Sequence, residues 1–127
     1  MANKSRTQES AEMYLETILR LSNDHPDVHS IEIAAEMGFS KPSVSVAIKN
    51  LKEQGLVTVD KYSHISLTSE GRAIAETIFE RHELLTGFFE WLGVSHETAE
   101  NDACRIEHVI SDESFQALKA CLSRHKK

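Results

Sequence analysis

The sequence predicts a mostly α-helical fold interrupted by one short β-hairpin. Apolar residues recur at helical spacing along most of its 127 residues. Ser, Thr and Gly stand where those runs begin and end, and a single segment alternates apolar with polar residues.

The first periodic run, "SAEMYLETILRLSND", carries Met13, Leu15, Ile18, Leu19 and Leu21 and is ended by Asp24, His25 and Pro26. "SIEIAAEMGFS" is expected to be a short helix begun by Ser30 and stopped by Gly38. In "SKPSVSVAIKNLKEQG", Ser40 is a good N-cap, Pro42 suits the first turn and Gly55 is a good stop, with Val44, Ala47, Ile48 and Leu51 on one stripe. "LVTVDKYSHISLT" reads as a hairpin, because Val57 and Val59, then Ile65 and Leu67, alternate around a polar "DKYSH". Thr68 or Ser69 caps a long helix that ends at Gly93, Ser95 opens another running through "HETAENDACRIEHVI", and Ser111 caps the last. At Ser111 the capping box is incomplete, since no Glu or Gln stands at the fourth position.

Helix, helix, turn, helix, hairpin is the order of a winged helix-turn-helix, a DNA-reading arrangement. The expected architecture is therefore a winged helix-turn-helix over residues 1–70 and an α-helical domain over 71–127. The reading helix offers Ser40, Lys41, Pro42, Ser43, Ser45 and Val46 on its early turns. Serines and Lys41 suit phosphates or base edges, whereas Pro42 and Val46 suit thymine methyls. Without Arg or Gln there, readout is expected to rest on phosphate positioning, methyl contact and DNA shape. Lys49 and Lys52 lie further along as solvated residues or phosphate contacts, and Lys61 stands at the tip of the hairpin. Winged helices also serve as protein-binding modules, so the fold alone does not decide the partner.

Composition narrows the classes. Hydrophobic residues at 40% and charged residues at 27% describe a chain able to bury a core. "MANKSRTQES" has no apolar stretch behind its basic residues and no run approaches a membrane span, so a cytoplasmic location is expected. Cys104 and Cys121 are then expected to stay reduced. A net charge of −6 argues against indiscriminate coating of nucleic acid. Lys41 to Lys61 nevertheless holds four lysines against two acids, while Arg72 to Glu113 holds three arginines against ten acids. That division suits a local nucleic-acid contact beside a cation site.

"NDACRIEHVISDE" places Cys104, Glu107 and His108 at i, i+3 and i+4, one face of a helix. The spacing allows a shared metal and equally an ordinary inward face; further ligands must come from elsewhere. Taken singly, each candidate has a plain structural role: Met13 on an apolar stripe as core, Cys104 as a small buried hydrophobe, Glu16 and His82 as helix-surface residues.

"EMYLETI", "SKPSVSVAIKNLKEQGLV", "LTSEGRAIA", "RHELL" and "NDACRIEHVISDE" resemble, in order and spacing, the family of the diphtheria toxin repressor and the manganese transport regulator. The resemblance covers roughly residues 8 to 123, in a short form without the SH3-like C-terminal domain. It implies a homodimeric repressor that takes Fe(II) or Mn(II) as co-repressor, controls metal-uptake genes and binds double-stranded operator DNA. It implies a primary site of Met13 with Cys104, Glu107 and His108, iron-like at Met13 and Cys104. It also matches Glu16 and His82 to the manganese branch. Thr86 stands where the iron branch has a glutamate and Glu100 where it has a histidine, so the second site is expected as a hybrid of His82 and Glu16 with Glu100 or Glu83. A cation held from both halves would favour the DNA-binding conformation and neutralise Glu16 and Glu107. Dimerisation is expected through residues 70 to 123, where Phe79, Leu84, Phe88, Phe89, Trp91 and Leu92 divide between interface and core.

Thioether and thiolate are soft donors, which tilts the expectation toward Fe(II) with Mn(II) as the alternative; other divalent transition metals are expected to substitute in vitro. Two rivals stand beside this reading: a small metalloenzyme, which would leave the winged helix unexplained, and a winged regulator that binds DNA without metal.

Overall fold

The computed structural model describes residues 6–125, which fall into two compact units, Arg6–Thr77 and the chain from Ile78 onward. The first five residues, part of the stretch read for a secretory signal, lie outside the described residues. The elements are α1 (Arg6–Asp24), α2 (Ser30–Met37), α3 (Lys41–Glu53), β1 (Val57–Val59), β2 (Ile65–Leu67), α4 (Ser69–Trp91), α5 (His96–Ile106) and α6 (Asp112–His125). Helices thus dominate, with one two-stranded antiparallel sheet, and the first five elements form a winged helix-turn-helix.

In the first unit, α1, α2 and α3 bury Leu15, Ile18, Ile33, Val44, Ile48 and Leu51, the apolar positions that the helical spacing picks out. Helix α2 begins at Ser30, as the sequence suggests. His29, not Ser30, is the cap residue, because the Glu32 carboxylate reaches back 2.6 Å to accept from the His29 main-chain N–H. Gly38 ends α2 at φ 70°, in the left-handed region that favours glycine. Ser40 caps α3, its hydroxyl accepting from the Ser43 N–H at 3.3 Å, with Pro42 in the first turn.

The wing pairs Val57 with Leu67, Thr58 with Ser66 and Val59 with Ile65. Its tip is closed by Asp60, whose Oδ1 accepts from the N–H groups of Tyr62 (2.8 Å) and His64 (2.9 Å). Those two bonds, the His64 one foremost, hold the Asp60 carboxyl below the ordinary carboxylate range. The Ile65 N–H donates to the Val28 carbonyl at 2.7 Å, tying β2 to the segment before α2. Thr68 caps α4 by accepting from the Gly71 N–H at 3.1 Å. A side chain at Gly71 would collide with the Leu56 carbonyl oxygen, so only glycine fits that approach.

In the second unit the remainder of α4, then α5 and α6, bury Ile78, Leu85, Ala99, Ala103 and Phe115. Gly93, at φ 102°, reverses the chain after α4. Ser95 caps α5 by accepting from the Thr98 N–H (3.4 Å), and Ser111 does the same for Ser114 (3.1 Å) at α6. Helix α5 stops at Ile106, four residues short of the expected Ile110, so Glu107 and His108 stand on the turn that follows it.

Candidate metal centre and reading helix

His82, on the second-unit part of α4, and the turn after α5 meet in a buried polar cluster. Glu107 is fully buried, and His82 and His108 are each 4% exposed. The Glu107 carboxylate lies between the two imidazoles: Oε2 is 2.8 Å from His82 Nδ1 and Oε1 is 3.2 Å from His108 Nε2. A carboxylate in such a place must be compensated, because burying a lone charge costs several kcal/mol or more. A proton on His82 Nδ1 makes Nε2 its basic nitrogen, the arrangement by which a carboxylate orients a metal-binding histidine. The 3.2 Å spacing between His108 and Glu107 is also near the edge of a coordination polyhedron with bonds of about 2.1 Å. Carboxylate and imidazole donors suit a divalent transition ion. Thr86, one turn beyond His82, is buried too, and its hydroxyl has no hydrogen-bond partner among the described residues. An orphaned polar atom of this kind fits a site that accepts a further ligand or water. The residues present therefore fit a divalent cation.

The remaining candidates are placed differently. Cys104 lies on the last turn of α5 and is exposed, not buried as a small hydrophobe. Met13, on α1, is 38% exposed and so is not core. Glu16, also on α1, is buried and pairs with Arg20 at 2.8 Å. Glu100 is exposed on α5, with its carboxylate 3.7 Å from His96 Nε2. The other nitrogen of that ring lies 2.8 Å from Glu90, and this bond raises the His96 pKa above its ordinary value. Glu83 is exposed on α4 and lines a groove away from the buried face.

One residue of the cluster is not among those that sequence reasoning selects. Arg81 is only 7% exposed and its Nη1 donates to the carbonyls of Glu107 (3.4 Å) and Ile110 (3.1 Å). The available signal was a single arginine beside His82 in a strongly acidic stretch.

On the reading helix α3, Lys41, Pro42, Ser43, Ser45, Val46 and Lys49 are exposed, while Val44, Ile48 and Leu51 face inward. Val46 is 60% exposed, an unusual position for an isopropyl group unless it meets another surface. Ser40 is exposed as well, but its hydroxyl is committed to the cap and to Ser43 Oγ at 2.9 Å. Lys61 stands at the wing tip with its ammonium 5.1 Å from the centre of the exposed Tyr62 ring.

Comparison with known proteins places this geometry. Residues 6–65 match the iron dependent repressor N-terminal DNA binding domain, and residues 68–127 match the iron dependent repressor metal binding and dimerisation domain. The transcriptional regulator MntR of Escherichia coli O157:H7 is 31% identical over 122 residues, covering 96% of this chain and 79% of the relative. The iron-dependent repressor IdeR of Mycobacterium tuberculosis is 32% identical over 116 residues, covering 91% of this chain and 50% of the relative. Among solved structures, the manganese regulator SloR superposes with a TM-score of 0.78 at 28% identity, over 97% of this chain. The chain spans about half the length of SloR, 55%. No helix among the described residues is long and apolar enough to cross a membrane. Relatives and fold are those of metal-dependent transcriptional regulators and not of enzymes. A DNA-binding domain followed by a metal-binding and dimerisation domain, matched across nearly the whole chain, makes this protein a member of the iron-dependent repressor family, the metal-dependent transcriptional repressors that include the diphtheria toxin repressor and MntR.

Proposed function

We propose that the chain is a cytoplasmic, homodimeric repressor of metal-uptake genes, activated by Fe(II) to bind double-stranded operator DNA. The observation that carries the metal requirement is the buried Glu107 carboxylate between His82 and His108. A divalent cation bound there supplies positive charge to a buried, acid-bearing site. Glu107 and His108 provide donors from one turn, and His82 is oriented by Glu107. Met13, Cys104 and Glu16 are assigned to the same centre by the family resemblance, with Glu100 as the outermost candidate. Since α1 belongs to the DNA-binding domain, ligands drawn from it would let metal favour the reading conformation by its difference in affinity for the two states.

DNA recognition is assigned to Ser40, Lys41, Pro42, Ser43, Ser45, Val46 and Lys49 on α3, and to Lys61 on the wing. Their exposure supports this. For the dimer, the second unit offers a half-open groove of about 550 Å³ lined by Leu84, Gly87, Trp91 and Leu122, with Trp91 and Leu92 each 59% exposed beside it. Apolar surface of this kind favours a partner surface over water. In a dimer, two α3 helices would meet successive turns of the duplex.

Iron is favoured by the thioether of Met13 and the thiol of Cys104. A second reading, Mn(II), is supported by the cluster itself, whose buried donors are carboxylate and imidazole alone while Cys104 is exposed. Anaerobic DNA-binding titrations with Fe(II), Mn(II), Co(II) and Zn(II) against a chelator control test both. Binding is expected only with metal and more readily with Fe(II) than with Mn(II). Equal binding in chelator would end the metal-dependent reading, and stronger activation by Mn(II) would replace iron with manganese. Replacing Met13 with Asp and Cys104 with Glu is expected to move activation toward Mn(II).

A further inference from the structure

We propose that Arg81 is a positioning residue of the metal centre, fixing by its main chain the turn that carries Glu107 and His108. This rests on the reading of that turn as a metal site.

Two consecutive residues of α4 hold Glu107 by its two ends. His82 takes the carboxylate at 2.8 Å, and Arg81 donates to the carbonyl oxygen at 3.4 Å and to that of Ile110 at 3.1 Å. Carbonyls at the end of a helix lose their helical N–H partners and need others. No glycine and no proline occurs between Cys104 and Ser111 to set this turn. The guanidinium supplies what the local sequence lacks, since Nη1 carries two N–H groups fixed in the guanidinium plane and donates to both carbonyls. It is itself held in place. Asp112 lies 3.7 Å from Nη2, and the guanidinium carbon sits 5.4 Å from the centre of the buried Phe115 ring. The residue thus links α4, the ligand-bearing turn and the first turns of α6.

A charge role and a positioning role predict opposite signs. A cation beside a metal site repels a second cation, so removing Arg81 for its charge alone would strengthen metal binding. Removing the clamp frees the turn and weakens binding, and the loss of a supporting contact of this kind is worth about ten- to a hundredfold in metal affinity. The test titrates the full-length protein with Co(II), reading affinity and the visible absorption of the bound ion, beside the far-ultraviolet circular dichroism and melting temperature of the metal-free form. Arg81→Met is expected to bind Co(II) about ten- to a hundredfold more weakly with an altered spectrum. Wild-type or tighter affinity with an unchanged spectrum would overturn the proposal. Should Arg81→Met fail to fold, Arg81→Lys carries the test. It keeps the charge and loses the fixed plane of the Nη1 N–H groups, so affinity is expected to fall severalfold with a changed spectrum, and a wild-type result would again overturn the proposal. A wild-type protein that takes up no Co(II) would overturn the metal centre itself, a distinct result from a variant that binds normally.

Discussion

The two units bury different chemistry. From Arg6 to Thr77 the buried set is almost wholly apolar, with Glu16 its only buried polar or charged residue among the described ones. From Ile78 onward, Arg81, His82, Thr86, Glu107 and His108 are buried beside only a few apolar residues, Ile78, Leu85, Ala99, Ala103 and Phe115. An apolar core is stabilised by transfer from water and by packing, and needs no ligand. A polar core is stable only insofar as every group is matched, and an incompletely matched one gains most from a ligand. The first unit is therefore expected to hold its reading helix in shape under all conditions. The second is expected to change its stability with metal.

Core truncation gives the largest effect. Leu51→Ala in the first unit and Leu85→Ala in the second should each cost about 2–5 kcal/mol. Both leucines are essentially buried. The comparison is sharpened by repeating the melts with metal, which should restore part of the Leu85→Ala loss and little of the Leu51→Ala loss. Equal restoration in both would break it.

Next comes Glu107→Gln, which keeps the shape of the side chain and removes its charge. Metal affinity should fall by at least about a hundredfold, beyond what the loss of an outer contact produces. Metal-dependent DNA binding should vanish at concentrations that saturate the wild type. The metal-free protein should be no more stable than the wild type, because the carboxylate that pairs with His82 and His108 is gone. Calorimetric titration and a melt of the metal-free form read the two halves; a variant that still responds to metal would remove Glu107 from the centre.

Metal itself is the third probe. At a free concentration a hundred times its dissociation constant, a ligand bound only by the folded state adds about 2.7 kcal/mol. Amide hydrogen exchange should slow around residues 82 and 103–112 and change less within α2, α3 and the wing. Uniform slowing throughout would show one cooperative unit and dissolve the contrast.

The same contrast explains what the sequence made legible. Wherever local chemistry decides, the pattern in the chain sufficed: Ser40 and Ser95 cap their helices, Gly38 and Gly93 take positive φ, and the alternation around residues 60–64 is a hairpin. The cap of α2 is less legible than its start at Ser30, because Glu32 accepts from the His29 N–H from inside the helix, a bond that a search for a small polar cap overlooks. At the end of α5, four residues short of the expected Ile110, a residue 26 positions away, Arg81, takes the Glu107 carbonyl. No local rule contains that bond. The cluster follows the same logic. Glu107 and His108 were legible from their spacing and His82 from the family resemblance, but Arg81 offered only its charge. Met13 and Cys104, expected as metal ligands from the family resemblance, are exposed; their residue types taken singly suggest core, but hydrophobicity alone does not say which face a helix turns inward.

Titration gives the smallest expected effects, and opposite ones in the two units. Asp60, in the wing, has its pKa lowered by the His64 and Tyr62 main-chain N–H groups. Its contribution should be fully present above its ordinary value of 3.8 and should fade as the pH falls through the lower folded value. His96, in the second unit, has its pKa raised by the hydrogen bond to Glu90 and by the charges of Glu90 and Glu100. Its contribution should be complete below the ordinary 6.5 and should fade as the pH rises through the higher folded value. Both groups are solvent-exposed, so each shift in melting temperature will be small and should shrink further with salt. Asp60→Asn should therefore melt below the wild type at neutral pH and converge with it in acid. His96→Gln should melt below the wild type at mildly acidic pH and converge with it in alkali. A His96→Gln deficit that stays constant from about pH 5.5 to about pH 9 would mean that the imidazole acts by packing on α5 and not by its charge.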